Sequence, residues 1–554
     1  MIGSVPHDTA RAADAYRRGL WVRTTLADSL RTAAQSTPRR TVLVDKEIRL
    51  DCATLHAQAS ALAGALLARM PTGSVVSLML PNWHEAAVIY LAATLAGMVV
   101  NPILPSLRDH DLRFILDDVE TRMIFVPRQF GGHDYAAMLD RVSGAMRRAP
   151  EVVLLRGSRA GQPGSHTSYP DLFDGSDAPG PLPLDPDAVR MVLYTSGTMG
   201  RAKGVLHSSN SIHALMCQLR DHWLIDPGDT FLVPSPIAHI GGSIYTFECP
   251  LLLGTTAVLM DRWDPARAVA LMNDERCTHL AGATPFLQQL LAAAERAHTR
   301  LPNLKVFICG GASVSPSLIR RAAGYFDRAV VTRVYGCTEV PVATVGAPRH
   351  DEADHAADTD GRPGIAEVKL VPHETAPAGD GEICVRGPQM LLGYRHPEDD
   401  VESLDDEGFF HTGDLGRWVD GQYLLVTGRA KDVIIRNGEN ISAKEVEDLL
   451  ADHPDIAEIA VVGLPDERTG ERACAVIVPA GAARPDVAGM LALLESKGVA
   501  KFKAPEQVVI WDALPKNDAG KILKHRIRAA LTSAAITSAA KPDAAGRRAR
   551  TKDG

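Results

Sequence analysis

Over roughly the first 350 residues, apolar runs short enough for strands alternate with longer segments of helical periodicity. A strand that runs into a helix and then another strand returns parallel to itself, so its sheet must be covered by helices on both faces. The predicted strands are Val75–Leu80, Val189–Thr195, Thr230–Val233, Val306–Cys309 and Val330–Tyr335. The predicted helices are Thr24–Gln35, Trp83–Gly97, Ser209–Trp223, Pro265–Asp274, Pro285–His298 and Pro316–Tyr325. The longest apolar run, Ala86–Pro105, is broken by Asn101 and Pro102. It reads as a buried helix leading into a strand rather than as a membrane span.

From about Gly361 the pattern changes to short strands punctuated by Gly and Pro, such as Gly381–Arg386 and Gln422–Thr427, which predicts a small β-rich subdomain. After Gly428 comes a separate mixed pattern. Ser442 and Glu445 are spaced as a capping box before a helix Ala443–His453, Glu458–Val462 and Ala473–Val478 read as strands, and Ile522–Leu531 as a last helix. A chain of 554 residues exceeds one ordinary core. The expected fold is α/β: a large N-terminal domain of helix-covered sheets with a β-rich subdomain over 1–428, then a smaller α+β domain over 429–531. The stretch 532–554 is rich in Ala, Ser, Lys and Arg without an apolar face, and is expected to be disordered.

Net charge of −8 argues against a nucleic-acid partner. The eight cysteines are scattered singly with no C-x-x-C pair, against a zinc cluster of that type. Met1–Leu20 has no apolar core of a signal peptide, so the expectation is a cytoplasmic chain with reduced thiols and no transmembrane segment.

The stretch Tyr194-Thr-Ser-Gly-Thr-Met-Gly-Arg-Ala-Lys-Gly-Val205 follows a predicted strand and is dense in Gly, Ser and Thr. Glycines let backbone N–H groups wrap an anion, hydroxyls add donors, and Lys203 supplies a cation. The spacing is not that of a Walker A loop. Tyr335-Gly-Cys-Thr-Glu339 also follows a strand, and Gly310-Gly-Ala312 follows another. Thr412-Gly-Asp414, Gly428-Arg-Ala-Lys-Asp432 and Pro515-Lys-Asn-Asp-Ala-Gly-Lys521 complete a series of short polar motifs. Asp28-Ser-Leu30 resembles the core of a phosphopantetheine attachment site, but it lacks the preceding Gly and reads as helix capping.

These motifs, in this order, resemble the signatures of the adenylate-forming superfamily: acyl- and aryl-CoA synthetases, peptide-synthetase adenylation domains and luciferases. The resemblance covers about residues 20–530. Met199 stands where the family pattern has Thr, and Ala202 where it has Pro. By resemblance, ATP is bound by Thr195, Ser196, Gly197, Thr198, Met199, Gly200 and Lys203 of the loop, and by Gly310, Gly311 and Ala312 under adenine. Tyr335 and Gly336 lie beside the base, Thr338 at the α-phosphate, and Asp414 with Arg429 at the ribose. Glu339, with Thr195, is expected to hold Mg²⁺, because a triphosphate needs a hard cation with oxygen ligands. His239, Gly311 and Val340 are expected at the acyl pocket.

In the same reading Lys521 is the catalytic lysine, alongside Glu339 and Lys203. A carboxylate attacking the α-phosphate brings two anions together, and an ammonium offsets their repulsion. Lys431 falls at the family's interdomain hinge. Ile435-Arg-Asn-Gly-Glu-Asn-Ile-Ser442 resembles the loop lining the pantetheine tunnel of CoA ligases, with Gly438 and Glu439 at the tunnel. Leu253–Asp264 resembles ligases of cyclohexanecarboxylate and related bacterial acids. The implied activity is an acyl-CoA synthetase: a carboxylic acid and ATP give an acyl-adenylate, CoA takes the acyl group, and AMP and pyrophosphate leave. A mobile lid serving both halves of the reaction is expected. Transfer to a carrier-protein pantetheine is the alternative, followed by a luciferase-like oxygenase and a non-enzymatic binding protein. The acid is expected to be apolar or alicyclic, and a homodimer is admitted.

Overall fold

The computed structural model describes residues 8–157, 166–173, 178, 180–195, 201–311, 314–401, 403–437, 439–451, 453–466, 468–517 and 520–539, with side chains to residue 532. The chain packs as two units. The first comprises the described residues of Met1–His373, Gly379–Val426 and Asp518–Gly520; the second comprises those of Glu374–Ala378, Thr427–Asn517 and Lys521–Gly554.

The first unit holds two large sheets. One runs in the order Val330–Arg333, Val306–Cys309, His279–Gly282, Thr230–Val233, Thr256–Leu259, Thr41–Asp45, Ile48–Asp51. All its neighbours are parallel except the last pair. The other runs Gly393–Tyr394, Lys203–Ser208, Val189–Thr195, Val99–Pro102, Val75–Leu78, Met123–Pro127, Glu151–Leu155, Thr167–Ser168. It is parallel from Val189–Thr195 onward and antiparallel on the Lys203 side. The helix-covered sheets read from the sequence are thus present.

The apolar run at Ala86 forms the helix His84–Leu95, every residue of which from Ala86 onward is buried, and then the strand Val99–Pro102. A helix apolar on all sides needs neighbours on all sides. Here one core cluster joins it to Phe231 and Ile308 of the first sheet and to Val76 and Met191 of the second. Each such side chain contributes about 1.5–3 kcal/mol by leaving water. No described helix is long and apolar enough to cross a membrane.

Local signals set the helix starts. Thr25 and Asp28 form a reciprocal capping box for Leu26–Ser36, so Asp28-Ser-Leu30 is a helix start as expected. Ser208 and Ser211 do the same for Ser209–His222. At Ser442 only half of the expected box forms: Ser442 Oγ accepts from the Glu445 amide, while the Glu445 carboxylate turns to Lys503 Nζ at 2.8 Å. A charge partner outcompetes the backbone amide for that carboxylate.

The β-rich subdomain is a four-stranded sheet in the order Glu367–Val371, Gly381–Arg386, Phe410–Val419, Tyr423–Arg429. The second unit has its own core, built on the long antiparallel pair Ile456–Asp466 and Gly470–Pro479 and the helix Ala443–Leu450. The last helix runs Lys524–Ala539, seven residues beyond Thr532, where disorder was expected. Ala-rich sequence has high intrinsic helix propensity, which carries the helix on without an apolar face. Residues 540–554 lie outside the described residues.

Candidate active site

The Gly-rich segment is not a strand-to-helix turn. It joins two antiparallel strands, Val189–Thr195 and Lys203–Ser208, with Thr195 directly opposite Lys203. Ser196, Gly197, Thr198, Met199 and Gly200 lie outside the described residues. Lys203 Nζ sits 3.3 Å from Asp399 Oδ1, and Arg201 reaches the other oxygen of Asp399 at 2.9 Å. Lys203 also lies 5.0 Å above the Tyr394 ring. Asp399 and Tyr394 escape sequence reasoning: Asp399 is one of three consecutive acids, a pattern that carries no signal of burial, yet it is only 6% exposed.

The segment Tyr335–Glu339 leaves the strand Val330–Arg333. The Tyr335 hydroxyl donates to Asp414 Oδ2 at 2.8 Å, so two motifs 79 residues apart meet. Burial first, then the Asp414 charge, hold this phenol protonated well above its ordinary range. Asp414 lies on Phe410–Val419 after a turn at Gly413, whose φ of 69° is the left-handed region that glycine enters freely. Gly336 is required by space. A Cβ there would lie 2.5 Å from the Val342 backbone nitrogen.

Glu339 is buried at 8% exposure and accepts from the Tyr394 hydroxyl at 2.9 Å. Tyr394 therefore stands between Lys203 and Glu339. Thr338 is held from behind: His207 Nε2–H donates to its carbonyl at 2.8 Å, and His207 Nδ1 lies 3.2 Å from Ser211 Oγ. Burial pushes the His207 pKa down to about 4, so the ring is neutral. His207 is on the strand that starts at Lys203, and it ties that strand to Tyr335–Glu339. Below them, Arg333 makes two buried hydrogen bonds to Asp360 Oδ1, at 3.1 and 2.8 Å.

Gly310 passes close under Val334, where a Cβ would meet the Val334 carbonyl oxygen at 3.0 Å, and Gly311 has φ 80°. Ala312 lies outside the described residues. His239 precedes the short helix Ile240–Ser243, which continues into a π-helical turn Ile244–Glu248. Burial lowers its pKa, and its Nε2 has no hydrogen-bond partner among the described residues. Val340, expected at the acyl pocket, has no accessible surface and packs in a core cluster with Val205, Ile383 and Tyr394. It supports Glu339 from behind, because the chain turns inward directly after the buried carboxylate.

In the second unit, Arg429 ends the strand Tyr423–Arg429 and Lys431 lies in the exposed turn Ala430–Asp432. Glu439 is exposed on a hairpin opposite Arg436, and Gly438 lies outside the described residues. Lys521 is exposed after Gly520, whose φ is 81°. Its backbone N–H donates to Asn517 Oδ1 at 2.8 Å and its carbonyl accepts from the Asn517 N–H at 2.9 Å, which closes the turn.

In the first unit, a Gly-rich connection and a buried carboxylate are brought together from two different sheets through Tyr394, beside a second carboxylate held by a tyrosine. Such a constellation defines a nucleotide-using enzyme of the α/β class. The AMP-binding enzyme family matches residues 30–395, and the AMP-binding enzyme C-terminal domain matches 445–521. A medium-chain fatty-acid–CoA ligase of Escherichia coli is 35% identical over 531 residues, 93% of this chain and 92% of that one. A CoA ligase of Rhodococcus jostii, named for a methyl-dioxo-octahydroindenyl propanoyl group, is 32% identical over 91% of this chain and 98% of its own length. The solved structure of ATP-bound MatB from Rhodopseudomonas palustris superposes with TM-score 0.79 at 28% identity, covering 92% of this chain and all of that one. The chain belongs to the AMP-binding enzyme family, and its activity is that of an ATP-dependent, AMP-forming acid–thiol ligase that makes acyl-CoA.

Proposed function

We propose that this ligase activates an apolar or alicyclic carboxylic acid, with the residue roles that follow. The observation that carries the reading is the pair of cross-braces Tyr335–Asp414 and Tyr394–Glu339. They hold one carboxylate for sugar hydroxyls and another for phosphate chemistry, both before any ligand arrives. The Thr195–Lys203 hairpin cradles the phosphates, with Ser196, Gly197, Thr198, Met199 and Gly200 supplying backbone donors. Gly310, Gly311 and Ala312 give the adenine plane close access to backbone, and Tyr335 and Gly336 flank the base. Thr338 contacts the α-phosphate. Asp414 accepts from the ribose hydroxyls, with Arg429 as partner.

Glu339 and Thr195 offer only oxygen donors, which fits Mg²⁺. When bound there, Mg²⁺ offsets phosphate negative charge. The acid's carboxylate oxygen attacks the α-phosphorus, the bond to the bridging oxygen breaks, and pyrophosphate leaves. Lys521 places an ammonium against the charge that gathers there. In the second half the CoA sulfur attacks the acyl carbon, the thiol proton goes to solvent, and AMP leaves as the better leaving group. Rotation of the C-terminal domain, 429–531, about Lys431 exchanges Lys521 for the Gly438–Glu439 loop between the halves, one lid serving two reactions. His239 and Gly311 bound the acyl pocket, and the burial of His239, whose Nε2 has no hydrogen-bond partner among the described residues, favours an uncharged acyl group. A cytoplasmic location, which supplies ATP and CoA together, belongs to the same proposal.

The test is purified enzyme with ATP, a panel of carboxylic acids, and either CoA or a carrier protein, reading AMP and thioester. Apolar and alicyclic acids with CoA should give both products. AMP and thioester formed only with carrier protein would overturn free CoA as acceptor, and turnover confined to short dicarboxylic acids would overturn the acid class.

A further inference from the structure

Two clusters of metal-ligating side chains occur among the described residues: Asp45, His84 and Glu85, and Glu382, Cys384 and His411. The first already holds a cation. Arg156 lies 3.1 Å from Asp45 and 2.6 Å from Glu85, so the guanidinium neutralises both carboxylates. The second is different. Cys384 and His411 are direct cross-strand partners on the antiparallel strands Gly381–Arg386 and Phe410–Val419. Glu382 precedes Cys384 by two residues, and side chains two apart share a face.

Thiolate, imidazole and carboxylate donors therefore converge from two paired strands. Cys384 Sγ is 3.4 Å and Glu382 Oε2 2.9 Å from His411 Nδ1. The donor atoms all lie within 4.8 Å of one another. The other ring nitrogen, His411 Nε2, faces Asp405 Oδ2 at 3.8 Å. That distance is beyond a hydrogen bond, so in the metal-free fold Nδ1–H donates to Glu382 Oε2, and Nδ1 ligates a metal once its proton moves to Nε2, on the Asp405 side. Lys369, the cation whose charge reaches Cys384, is engaged by Asp405 at 2.9 Å and Glu407 at 2.7 Å. Cys384 is fully buried, while the His411 side chain is 32% exposed and opens the cluster to solvent.

We propose that Glu382, Cys384 and His411 form a binding site for one divalent transition-metal cation of the zinc class, separate from the Mg²⁺ of the nucleotide. The mixed S, N and O donor set suits zinc or cobalt and does not suit Mg²⁺ or Ca²⁺, which take oxygen alone. Three protein ligands leave a fourth position for water. On binding, the Cys384 thiol loses its proton to solvent as the sulfur–metal bond forms, the ring proton moves from His411 Nδ1 to Nε2 through solvent, and the freed Nδ1 lone pair and the Glu382 carboxylate complete the protein ligands. The site is built into the ribose turn: Glu382 Oε1 accepts from the Gly413 N–H at 3.1 Å, and Thr412 Oγ donates to the Ile383 carbonyl at 2.7 Å.

The test is a cobalt(II) titration of the full-length protein, read by its near-ultraviolet thiolate-to-metal charge-transfer absorbance. The expected result is a band that saturates at one equivalent, is abolished by zinc competition, and is absent in Cys384→Ser. In His411→Asn the cobalt affinity should fall by about tenfold or more. No band in folded wild type, or the same band in Cys384→Ser, would overturn the site, because another thiol would then be the ligand. If Cys384→Ser fails to fold by circular dichroism, His411→Asn carries the decision: weakened binding upholds the site and unchanged binding overturns it.

Discussion

The functional groups of the first unit and those of the second are held in opposite ways. In the first, Glu339 is buried against Tyr394, Asp414 is fixed by Tyr335, and Lys203 is paired with Asp399. In the second, Lys431, Glu439 and Lys521 are exposed on turns or at the end of a hairpin. Buried, cross-braced groups are preorganised and pay their ordering entropy on folding, whereas exposed groups on turns keep freedom to be brought to a site and withdrawn. Under the proposed roles, the contrast separates a standing nucleotide site from transient reagents.

The largest expected effect tests the transient side. Lys521→Ala should lower adenylate formation, measured as ATP–pyrophosphate exchange, by about 10²–10³-fold. Its thermal midpoint should change little, because the side chain is exposed and buries little area. If exchange is spared and only thioester formation fails, the role given to Lys521 is wrong. On the standing side, Asp414→Ala removes the acceptor of the Tyr335 hydroxyl along with the ribose contact proposed for it. Charged hydrogen bonds are worth about 1.5–3 kcal/mol, so KM for ATP should rise by roughly 10–150-fold, with a lower thermal midpoint as well. An effect on KM with no loss of stability would show that the brace to Tyr335 is dispensable.

His207 gives a pH-dependent test of the same bracing. Its folded pKa of about 4 lies below the ordinary 6.5, so the unfolded chain binds a proton that the folded one refuses. Stability is full above about pH 6.5 and falls as pH drops from about 6.5 to about 4, by an amount on the order of 3 kcal/mol for a shift of this size. His279, also buried and lowered to about 4, acts in the same direction. His207→Leu should remove about half of that slope in urea unfolding. At pH 7 it should also cost about 1 kcal/mol through the lost hydrogen bond to Thr338. An unaltered slope would mean that His207 is already protonated in the fold. Glu439→Ala should have the smallest effect. It is exposed, so a change of about twofold in KM for CoA, with adenylate formation intact, is expected. A larger loss confined to the adenylation half would place Glu439 in the wrong step.

Much of this was legible in the chain because it is local. Strand and helix periods located Val189–Thr195, Thr230–Val233, Val306–Cys309, Pro265–Asp274 and Pro316–Tyr325 with the bounds that the structure shows. Each is long and regular enough for its own pattern to decide. The crowding at Gly336, where a Cβ would lie 2.5 Å from the Val342 backbone nitrogen, came only with the structure. The strand Lys203–Ser208 was not legible either, since its glycine-rich approach hides a hairpin whose partner is Val189–Thr195.

The sequence by itself determined the alternation of elements, the family of motifs and the kinds of side chain available, since these depend on residue order and short-range sterics. Only the tertiary structure decided which groups meet. Asp399 reaches Lys203 across 196 residues, Tyr394 reaches Glu339 across 55, and His207 reaches Thr338 across 131. Singly scattered cysteines spoke against a metal cluster, yet cross-strand pairing sets Cys384 beside His411. Spacing along a chain cannot report such contacts, because they are fixed by sheet register and burial, which form only when distant segments pack.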